Sequence, residues 1–282
     1  MNSKKASVAL IVHSCDRYQF LYQGFHYFFF KYWNFDIHCN YYFATELIDV
    51  VLPGFENIKS GKGEWSDRLS YLLKEKIKED YVLYFQEDMW LNKPVNSVFF
   101  NKLFDLATEK KWKQVKLSSA EVYKTIESPH FIEGFNISVL DNEKSDYLMS
   151  HQVTLWEKQF LIEQLPKNEH PWRNERRGTQ RLKKINPIIH QVDYFSDSGK
   201  EEVNKNINPV GRSEYITISE NGTLSEKTIP FIKALIAEQG ELMRYGNELK
   251  RNYDNKLTHD GKPQPRKEGA FTKLKNWLKA TD

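Results

Sequence analysis

The segment Asp80-Tyr-Val-Leu-Tyr-Phe-Gln-Glu-Asp-Met-Trp-Leu91 decides the fold class of this chain. Its uninterrupted apolar run, Tyr81 to Phe85, ends in the carboxylate pair Glu87 and Asp88. Because such a run is apolar on both faces, it predicts a central strand of a parallel sheet. Ligands of open α/β sheets bind beyond the carboxyl ends of such strands, where two acids can hold a divalent cation. Buried strands followed by surface acids also occur in proteins that bind no metal, so the segment alone leaves both interpretations open.

Outward from this strand, strand and helix patterns alternate. Strands are predicted over 7–13, 37–44, 81–85 and 114–117, and helices over 18–33, 66–78 and 98–110. Ser66 is the predicted N-cap of the second helix. This order predicts an α/β fold with a doubly wound, mostly parallel sheet flanked by helices.

The second half of the chain has a less regular pattern. It predicts a helix over 152–165, short strands over 185–192 and 215–219, and a helix or helical pair over 228–253. We therefore expect a catalytic domain over residues 1–225, a helical extension over 226–260, and a linker with an amphipathic terminal helix over 261–282.

Composition excludes some classes of protein. The 282 residues are 40% hydrophobic and 28% charged, which is ordinary for a globular protein, and a net charge of +3 is too small to indicate a nucleic-acid partner. Cys15 and Cys39 are too few for a disulfide framework, so we expect free thiols and a reducing compartment. No segment reaches the ~18 consecutive apolar residues of a membrane span. We expect a cytoplasmic protein.

The terminal helix qualifies this localisation. Phe271, Leu274, Trp277 and Leu278 fall on one helical stripe, with lysines at other positions. This pattern is typical of a helix that lies in a membrane interface, and equally of a short helix docked on its own protein. The first alternative predicts peripheral contact with the inner face of the cytoplasmic membrane through residues 269–282.

Polar residues follow the first two predicted strands, where a nucleotide would lie in a doubly wound fold. Asp16 could accept hydrogen bonds from a base or ribose, and Arg17 could neutralise a phosphate. Glu46 could contact a ribose hydroxyl. The alternatives are that Asp16 caps the following helix and that Glu46 is merely solvated.

The motif Gly61-Lys-Gly-Glu-Trp-Ser-Asp-Arg68 joins a glycine loop to a helix start. Backbone amides and the helix dipole favour an anion there, and Lys62 and Arg68 add positive charge. Trp65 offers a flat face for a ring. A basic surface loop without a ligand would have the same sequence.

The segment His170-Pro-Trp-Arg-Asn-Glu-Arg-Arg-Gly-Thr-Gln-Arg181 places Glu175 among arginines. Such a carboxylate is usually a structural ion pair with a lowered pKa. Alternatively, the arginines bind phosphates and leave Glu175 to face an acceptor hydroxyl. His190, in a later predicted strand, could reach a metal ion or could simply be packed.

Taken together, these features resemble a bacterial glycosyltransferase of the GT-A fold. The resemblance covers roughly residues 6–195 and depends on Val8-Ala-Leu-Ile-Val-His-Ser14 with Asp16-Arg17, Trp65-Ser-Asp-Arg68, Tyr84-Phe-Gln-Glu-Asp88, Ser150-His-Gln152, Leu155-Trp156, and Pro171-Trp172 with Glu175 and Gly178. It implies a nucleotide-sugar donor, Mg²⁺ or Mn²⁺, and transfer to a hydroxyl of a glycan or lipid-linked acceptor in surface polysaccharide synthesis. One position departs from the family pattern, because Gln86 stands where the first acid of the Asp-x-Asp motif is expected.

The resemblance also implies roles for individual residues. Asp88 is the expected metal ligand, with Glu87 and His190 as further candidates, and it would stabilise the departing diphosphate. Glu175 is the first candidate for the base that takes the acceptor proton, and Glu133 is the second. Three rival functions stay open: a non-catalytic sugar-nucleotide-binding or scaffold protein of a membrane assembly, a sugar-phosphate nucleotidyltransferase, and a metal-dependent hydrolase.

Overall fold

The computed structural model describes residues 7–203 and 211–264. They fall into two compact units that divide between Ile218 and Ser219. The predicted amphipathic terminal helix, with its stripe from Phe271 to Leu278, lies outside the described residues.

The first unit alternates strands with helices. Its strands are β1 (Val8–His13), β2 (Asn40–Thr45), β3 (Glu56–Lys59), β4 (Tyr81–Phe85), β5 (Met89–Leu91), β6 (Gln114–Ser118), β7 (Thr125–Ile132), β8 (Phe135–Leu140), β9 (Thr154–Glu157), β10 (His190–Asp197) and β11 (Ser213–Thr217). Its helices are α1 (Tyr22–Tyr32), α2 (Trp65–Tyr71), α3 (Ser97–Glu109), α4 (Lys158–Glu163) and α5 (Pro171–Ile185). A 3-10 turn (Asp16–Leu21) precedes α1, and a π turn (Leu72–Lys76) extends α2.

One 11-stranded sheet organises this unit, in the order β3-β2-β1-β4-β9-β6-β10-β11-β5, with the β7–β8 hairpin attached to β10 through β8. Strands β3, β2, β1, β4, β6, β10 and β11 run in one direction, and β9 runs against its neighbours β4 and β6. The predicted α/β class with a mostly parallel sheet flanked by helices is confirmed.

Strand β4 is central, as its apolar run predicts. All of its residues are buried, and it pairs with β1 and β9. Its side chains alternate between two layers of the core, as strand geometry requires. Tyr84 faces the cluster that contains Trp65 and Trp156, whereas the ring of Phe85 lies 6.0 Å from that of Phe29 on α1.

The prediction of one helix over 152–165 is wrong in its first part. Residues Thr154–Glu157 form β9, and the helix α4 starts only at Lys158, where Glu157 accepts the N–H of Phe160 at 2.8 Å. Four consecutive residues, 153–156, are buried, which suits a strand enclosed by two others as well as one turn of a buried helix, so spacing alone could not separate the two.

Several predicted boundaries also differ from the structure. Ser66 is buried inside α2 and accepts the N–H of Glu169 at 2.9 Å, while Glu64 occupies the N-cap position. Helix α5 runs to Ile185 and ends at Asn186, whose φ of 44° is left-handed, so the strand predicted from 185 begins only at His190. The sequence patterns did not predict β3 or the β7–β8 hairpin.

The second unit contains a short hairpin, β12 (Ser219–Glu220) and β13 (Thr223–Leu224), and two helices, α6 (Ile229–Ile236) and α7 (Glu241–Asp254). The predicted helical pair is therefore present. Gly246 allows the helices to approach closely, because a Cβ there would lie 2.9 Å from the backbone N of Ile236. None of the helices in the described parts of the chain combines the length and apolar character that crossing a bilayer requires.

Candidate active site

The candidate site lies at the carboxyl edge of the parallel strands. Strands β1, β4, β6 and β10 run in one direction, so the residues that follow them meet at one edge of the sheet. Strand β9 runs the other way, so the residues that precede it, His151 and Gln152, reach the same edge. The side chains described below come from these positions and from α5.

Three carboxyl groups form one side of the site: Glu87, Asp88 and Asp197. Burial, with a smaller contribution from the charge of Asp197, raises the pKa of Asp88 to about 7. Burial and the neighbouring Asp88 raise the pKa of Glu87 well above its usual range. The backbone oxygen of Asp88 accepts the N–H of Ile218 at 3.0 Å, which holds the loop after β4 in place. Asp88 and Asp197 therefore lie close enough at this sheet edge for their charges to interact.

Asp197 is a site residue that the sequence reasoning missed. It is the last residue of β10, its Oδ2 accepts from the Nζ of Lys200 at 2.8 Å, and only 5% of it is exposed. The signal that could have revealed it is the same one that revealed Asp88, an acid at the end of a buried strand.

A metal ion at this edge would need ligands beyond the protein. Among the residues that the structure describes, no three His, Cys, Asp or Glu side chains lie close enough together to enclose one. Mg²⁺ commonly binds through one or two carboxylates, with phosphate oxygens and water completing its shell. Asp88 and Asp197 suit that mode, because a cation would relieve the repulsion that raises the pKa of Asp88.

Glu175, on α5, forms the other side of the site. Its Oε1 accepts the backbone N–H of His151 at 2.9 Å. Burial raises the pKa of Glu175, although the His151 N–H and the charge of Lys116 oppose the increase. The expectation of an arginine ion pair with a lowered pKa is therefore wrong, since two of the arginines pair with another acid. Arg181 lies 3.0 Å and Arg177 3.9 Å from Glu169.

Lys116 is a second residue that the sequence did not reveal. It is fully buried in β6, its Nζ donates to the Oγ of Ser150 at 2.7 Å, and it lies 4.8 Å above the ring of Tyr123. Burial lowers the pKa of Lys116 to about 7, against the attraction of Glu175. Burial raises the pKa of Tyr123 to about 12, and both Glu175 and Asp197 contribute to that increase. Tyr123 thus experiences the carboxylates of both sides.

Four rings line the base of the site: His13, Trp65, Tyr84 and His151. The rings of Trp65 and His151 lie 4.1 Å apart, and that of His13 lies 5.7 Å from Trp65. Burial lowers the pKa of His151 to about 3 and that of His13 well below its usual range. The Nε2 atoms of both histidines are buried and find no hydrogen-bond partner among the described residues. Trp65 therefore packs against His151. It does not offer the open flat face that the sequence suggested.

The residues expected to hold a nucleotide form a hydrogen-bonded network. Asp16 accepts the N–H groups of Glu46, Leu47 and Ile48 at 2.8, 2.9 and 3.3 Å, and Glu46 accepts the N–H of Asp16 at 3.1 Å. Arg68 donates to the carbonyl oxygen of Ser14 at 3.0 Å and lies 3.3 Å from Glu46. The network ties the end of β1 to the end of β2.

Neither alternative for the first two acids is found. Asp16 does not cap the following turn, whose N-cap position is Cys15, and Glu46 is bound and not merely solvated. Two exposed cations lie beside this network, Arg17 in the 3-10 turn after β1 and Lys62 in the loop before α2.

Two predicted site residues lie elsewhere. His190 stacks on Trp112 with ring centroids 3.9 Å apart, and burial lowers its pKa to about 4. Strand pairing through β6 and β9 places His190 in line with Leu83 of β4. Leu83 comes five residues before Asp88, so His190 lies away from the strand ends that form the site. Glu133 lies in the turn of the β7–β8 hairpin and is paired with Lys102 of α3. His190 and Glu133 are therefore engaged away from the side chains gathered around Asp88.

Comparison with known proteins gives structural likeness only. No protein-family model matches the chain, and no curated protein matches it in sequence. Among solved structures, it is similar to S. aureus TarS (9% identity, TM-score 0.45, 88% of this chain and 43% of that one). It is also similar to GalNAc-T7 crystallised with UDP, GalNAc and Mn²⁺ (8% identity, TM-score 0.47, 99% and 55%). The chain thus spans about half the length of the structures it matches.

Both neighbours are GT-A-type glycosyltransferases, the fold that the sequence features resemble. Because both TM-scores lie below 0.5 and both identities below 10%, neither neighbour carries residue roles or a substrate over to this chain.

Proposed function

We propose that this chain is a glycosyltransferase that moves a sugar from a nucleotide-sugar donor to a hydroxyl of a glycan or lipid-linked acceptor in cell-surface polysaccharide synthesis. The observation that carries the proposal is the placement of two kinds of acid at one sheet edge. Asp88 and Asp197 lie on one side, and Glu175 is partly buried on the other, with no arginine partner among the described residues.

The first side suits the leaving group. As the glycosidic bond to the nucleotide breaks, negative charge grows on the departing diphosphate, and fixed positive charge stabilises it most effectively. Asp88 and Asp197 would hold Mg²⁺ or Mn²⁺, which when bound neutralises diphosphate charge. Two exposed cationic side chains lie nearby, Arg17 after the end of β1 and Lys62 before the start of α2.

The second side suits the acceptor. A new bond forms between the acceptor oxygen and the anomeric carbon while the bond from that carbon to the diphosphate oxygen breaks, and the acceptor proton needs a base. Glu175 can take it on Oε2, because Oε1 is held by the N–H of His151. Its raised pKa makes it a stronger base than an exposed carboxylate, and the charge of Lys116 limits that increase.

The network of Asp16, Glu46 and Arg68 has a supporting role in this proposal. It fixes the backbone after β1 and β2, where the base and ribose of the donor would lie. Substitution of Asp16 would therefore weaken donor binding through the loop that it holds.

We further propose that residues 269–282 bring the protein to the cytoplasmic face of the membrane, where lipid-linked acceptors reside. The support is the amphipathic pattern of that segment alone. Liposome co-sedimentation with and without residues 269–282 tests it, and equal sedimentation of the two proteins would contradict it.

Asp88→Asn tests the proposed transferase, with Asp80→Asn as its matched control at the opposite, exposed end of the same strand. Wild-type protein is titrated calorimetrically with UDP-, GDP-, dTDP- and CMP-sugars, with and without Mn²⁺, and nucleotide release is then measured for the sugar that binds. We expect Asp88→Asn to lose at least about 100-fold in turnover and Asp80→Asn to keep wild-type turnover. Binding without any turnover by wild-type protein would instead favour a non-catalytic sugar-nucleotide-binding protein.

A further inference from the structure

Helix α5 has two faces with different chemistry. Its buried face includes Gly178, Thr179 and Leu182 and packs on the rest of the first unit. Its other face borders an open groove of about 760 Å³, whose lining includes Arg176, Arg177, Arg181, Lys184, Tyr147 and Asp146. The cationic side chains recur along one stripe of the helix, because residues three and four apart share a face.

The groove carries excess positive charge. Four cationic side chains line it against one acid, Asp146, in a protein whose net charge is only +3. Glu169 engages Arg181 at 3.0 Å and lies 3.9 Å from Arg177. Arg176 and Lys184 make no ion pair with any residue in the described ranges, so their charge is available to a ligand.

The groove begins close to the candidate base. Thr179 lines it, donates its hydroxyl to the backbone oxygen of Glu175 at 2.7 Å, and accepts the N–H of Met149 at 3.2 Å. Because four residues span about one helical turn, the groove begins about one turn from the Glu175 carboxylate. A ligand bound along α5 could therefore place a hydroxyl beside Glu175.

From this charge and from the nearness of the groove to Glu175 we infer that the groove binds a phosphate group of the acceptor, either a diphosphate or a phosphodiester. The inference rests on the proposed glycosyl transfer and names the class of acceptor. Guanidinium groups match phosphate oxygens with paired hydrogen bonds, and Lys184 adds a point charge. Tyr147, which is 41% exposed, offers its ring to the sugar or other flat group next to the phosphate.

The test compares two double variants of the full chain. Arg176→Gln/Lys184→Gln removes the two unpaired charges of the groove and leaves the Arg181–Glu169 pair intact. Lys78→Gln/Lys110→Gln is the control, with the same change in charge. Both lysines precede strands whose far ends form the site, so they lie at the opposite edge of the sheet. Equal melting temperatures, measured first, establish that all proteins are folded.

The probes are inorganic tripolyphosphate, vesicles of phosphatidylglycerol in phosphatidylcholine, and the neutral glycan maltoheptaose, each without divalent cation. We expect the groove variant to bind tripolyphosphate or the vesicles at least about tenfold more weakly than wild type, with less than twofold loss in the control. A loss confined to tripolyphosphate indicates a soluble phosphate group, and a loss with vesicles indicates a lipid headgroup.

Three results would overturn the inference: equal weakening in both double variants, no binding of either phosphate probe by wild type, or groove-dependent binding of maltoheptaose alone. Donor turnover by wild type and Asp88→Asn is measured separately. Failure of the groove test with Asp88-dependent turnover would reject only the acceptor class, whereas absent turnover would reject the transferase.

Discussion

The carboxylate of Glu175 accepts the backbone N–H of His151 at 2.9 Å, while Arg181 from the same helix binds Glu169. Two acids close in sequence therefore have opposite environments. Burial raises the pKa of Glu175, whereas the Arg181 and Asn174 hydrogen bonds more than offset burial and lower that of Glu169. One acid is suited to accept a proton, and the other is suited to hold the start of α5.

Glu175→Gln should lower the rate of sugar transfer about 10²–10⁴-fold while donor affinity stays within about twofold, because the amide can still accept from His151 but cannot take a proton. Steady-state transfer rates and calorimetric donor binding measure the two quantities. Glu169→Gln is the matched control, and it should instead reduce the free energy of unfolding by about 1–3 kcal/mol. Comparable losses of rate in both variants would show that Glu175 is structural.

Lys116→Met should move the acidic limb of the pH–rate profile to higher pH. The ammonium group of Lys116 lowers the pKa of Glu175, so its removal raises that pKa and protonates the base at pH values where the wild type is still ionised. Activity at pH 6 should fall more than activity at pH 8. Lys116→Arg, which keeps the charge, should keep the wild-type limb, and an unmoved limb in Lys116→Met would rule out the coupling.

Metal binding should weaken as the pH falls through 7. The pKa of Asp88 is raised to about 7, so below this value a proton competes with the cation for its carboxylate, and Mn²⁺ affinity should drop by up to about tenfold per pH unit. Titration calorimetry of Mn²⁺ with UDP, GDP or dTDP, whichever binds most tightly, measures the profile. Because Asp197 contributes to the raised pKa, Asp197→Asn should shift the drop to lower pH.

The control for that profile is Asp141→Asn, which should leave the midpoint where it is, because Asp141 follows β8 and pairs with Lys144 away from the site. A midpoint that stays near pH 7 in Asp197→Asn would mean that the two carboxylates are not coupled.

Gly178→Ala should destabilise the protein by about 1–3 kcal/mol, because the added Cβ would lie 2.7 Å from the Cγ and 2.9 Å from the Cβ of Met149. The helix must then move away from the segment that carries His151, so transfer should slow as well. Thermal unfolding and transfer rates measure both effects. Gly211→Ala, with open space around its Cβ, is the control, and Met149→Ala in the Gly178→Ala background should restore part of the stability.

The helix predicted over 152–165 shows where sequence reasoning reached its limit. Val153, Leu155 and Trp156 are all buried, which suits either a helix or an enclosed strand, and only the pairing of β9 with β4 and β6 selects the strand. The same limit applies to Glu175. Its arginine neighbours in sequence predicted an ion pair, but Glu169, from the turn before α5, binds Arg181 instead.

The sequence by itself predicted that β4 is a buried strand with acids at its end, because a short apolar run rich in aromatic and β-branched residues favours a strand and strand ends of a parallel sheet meet at one edge. Only the tertiary structure decided which distant residues join it there. Asp197, Lys116 and His151 reach Asp88 and Glu175 through strand order, and strand order depends on long-range pairing that local patterns do not encode.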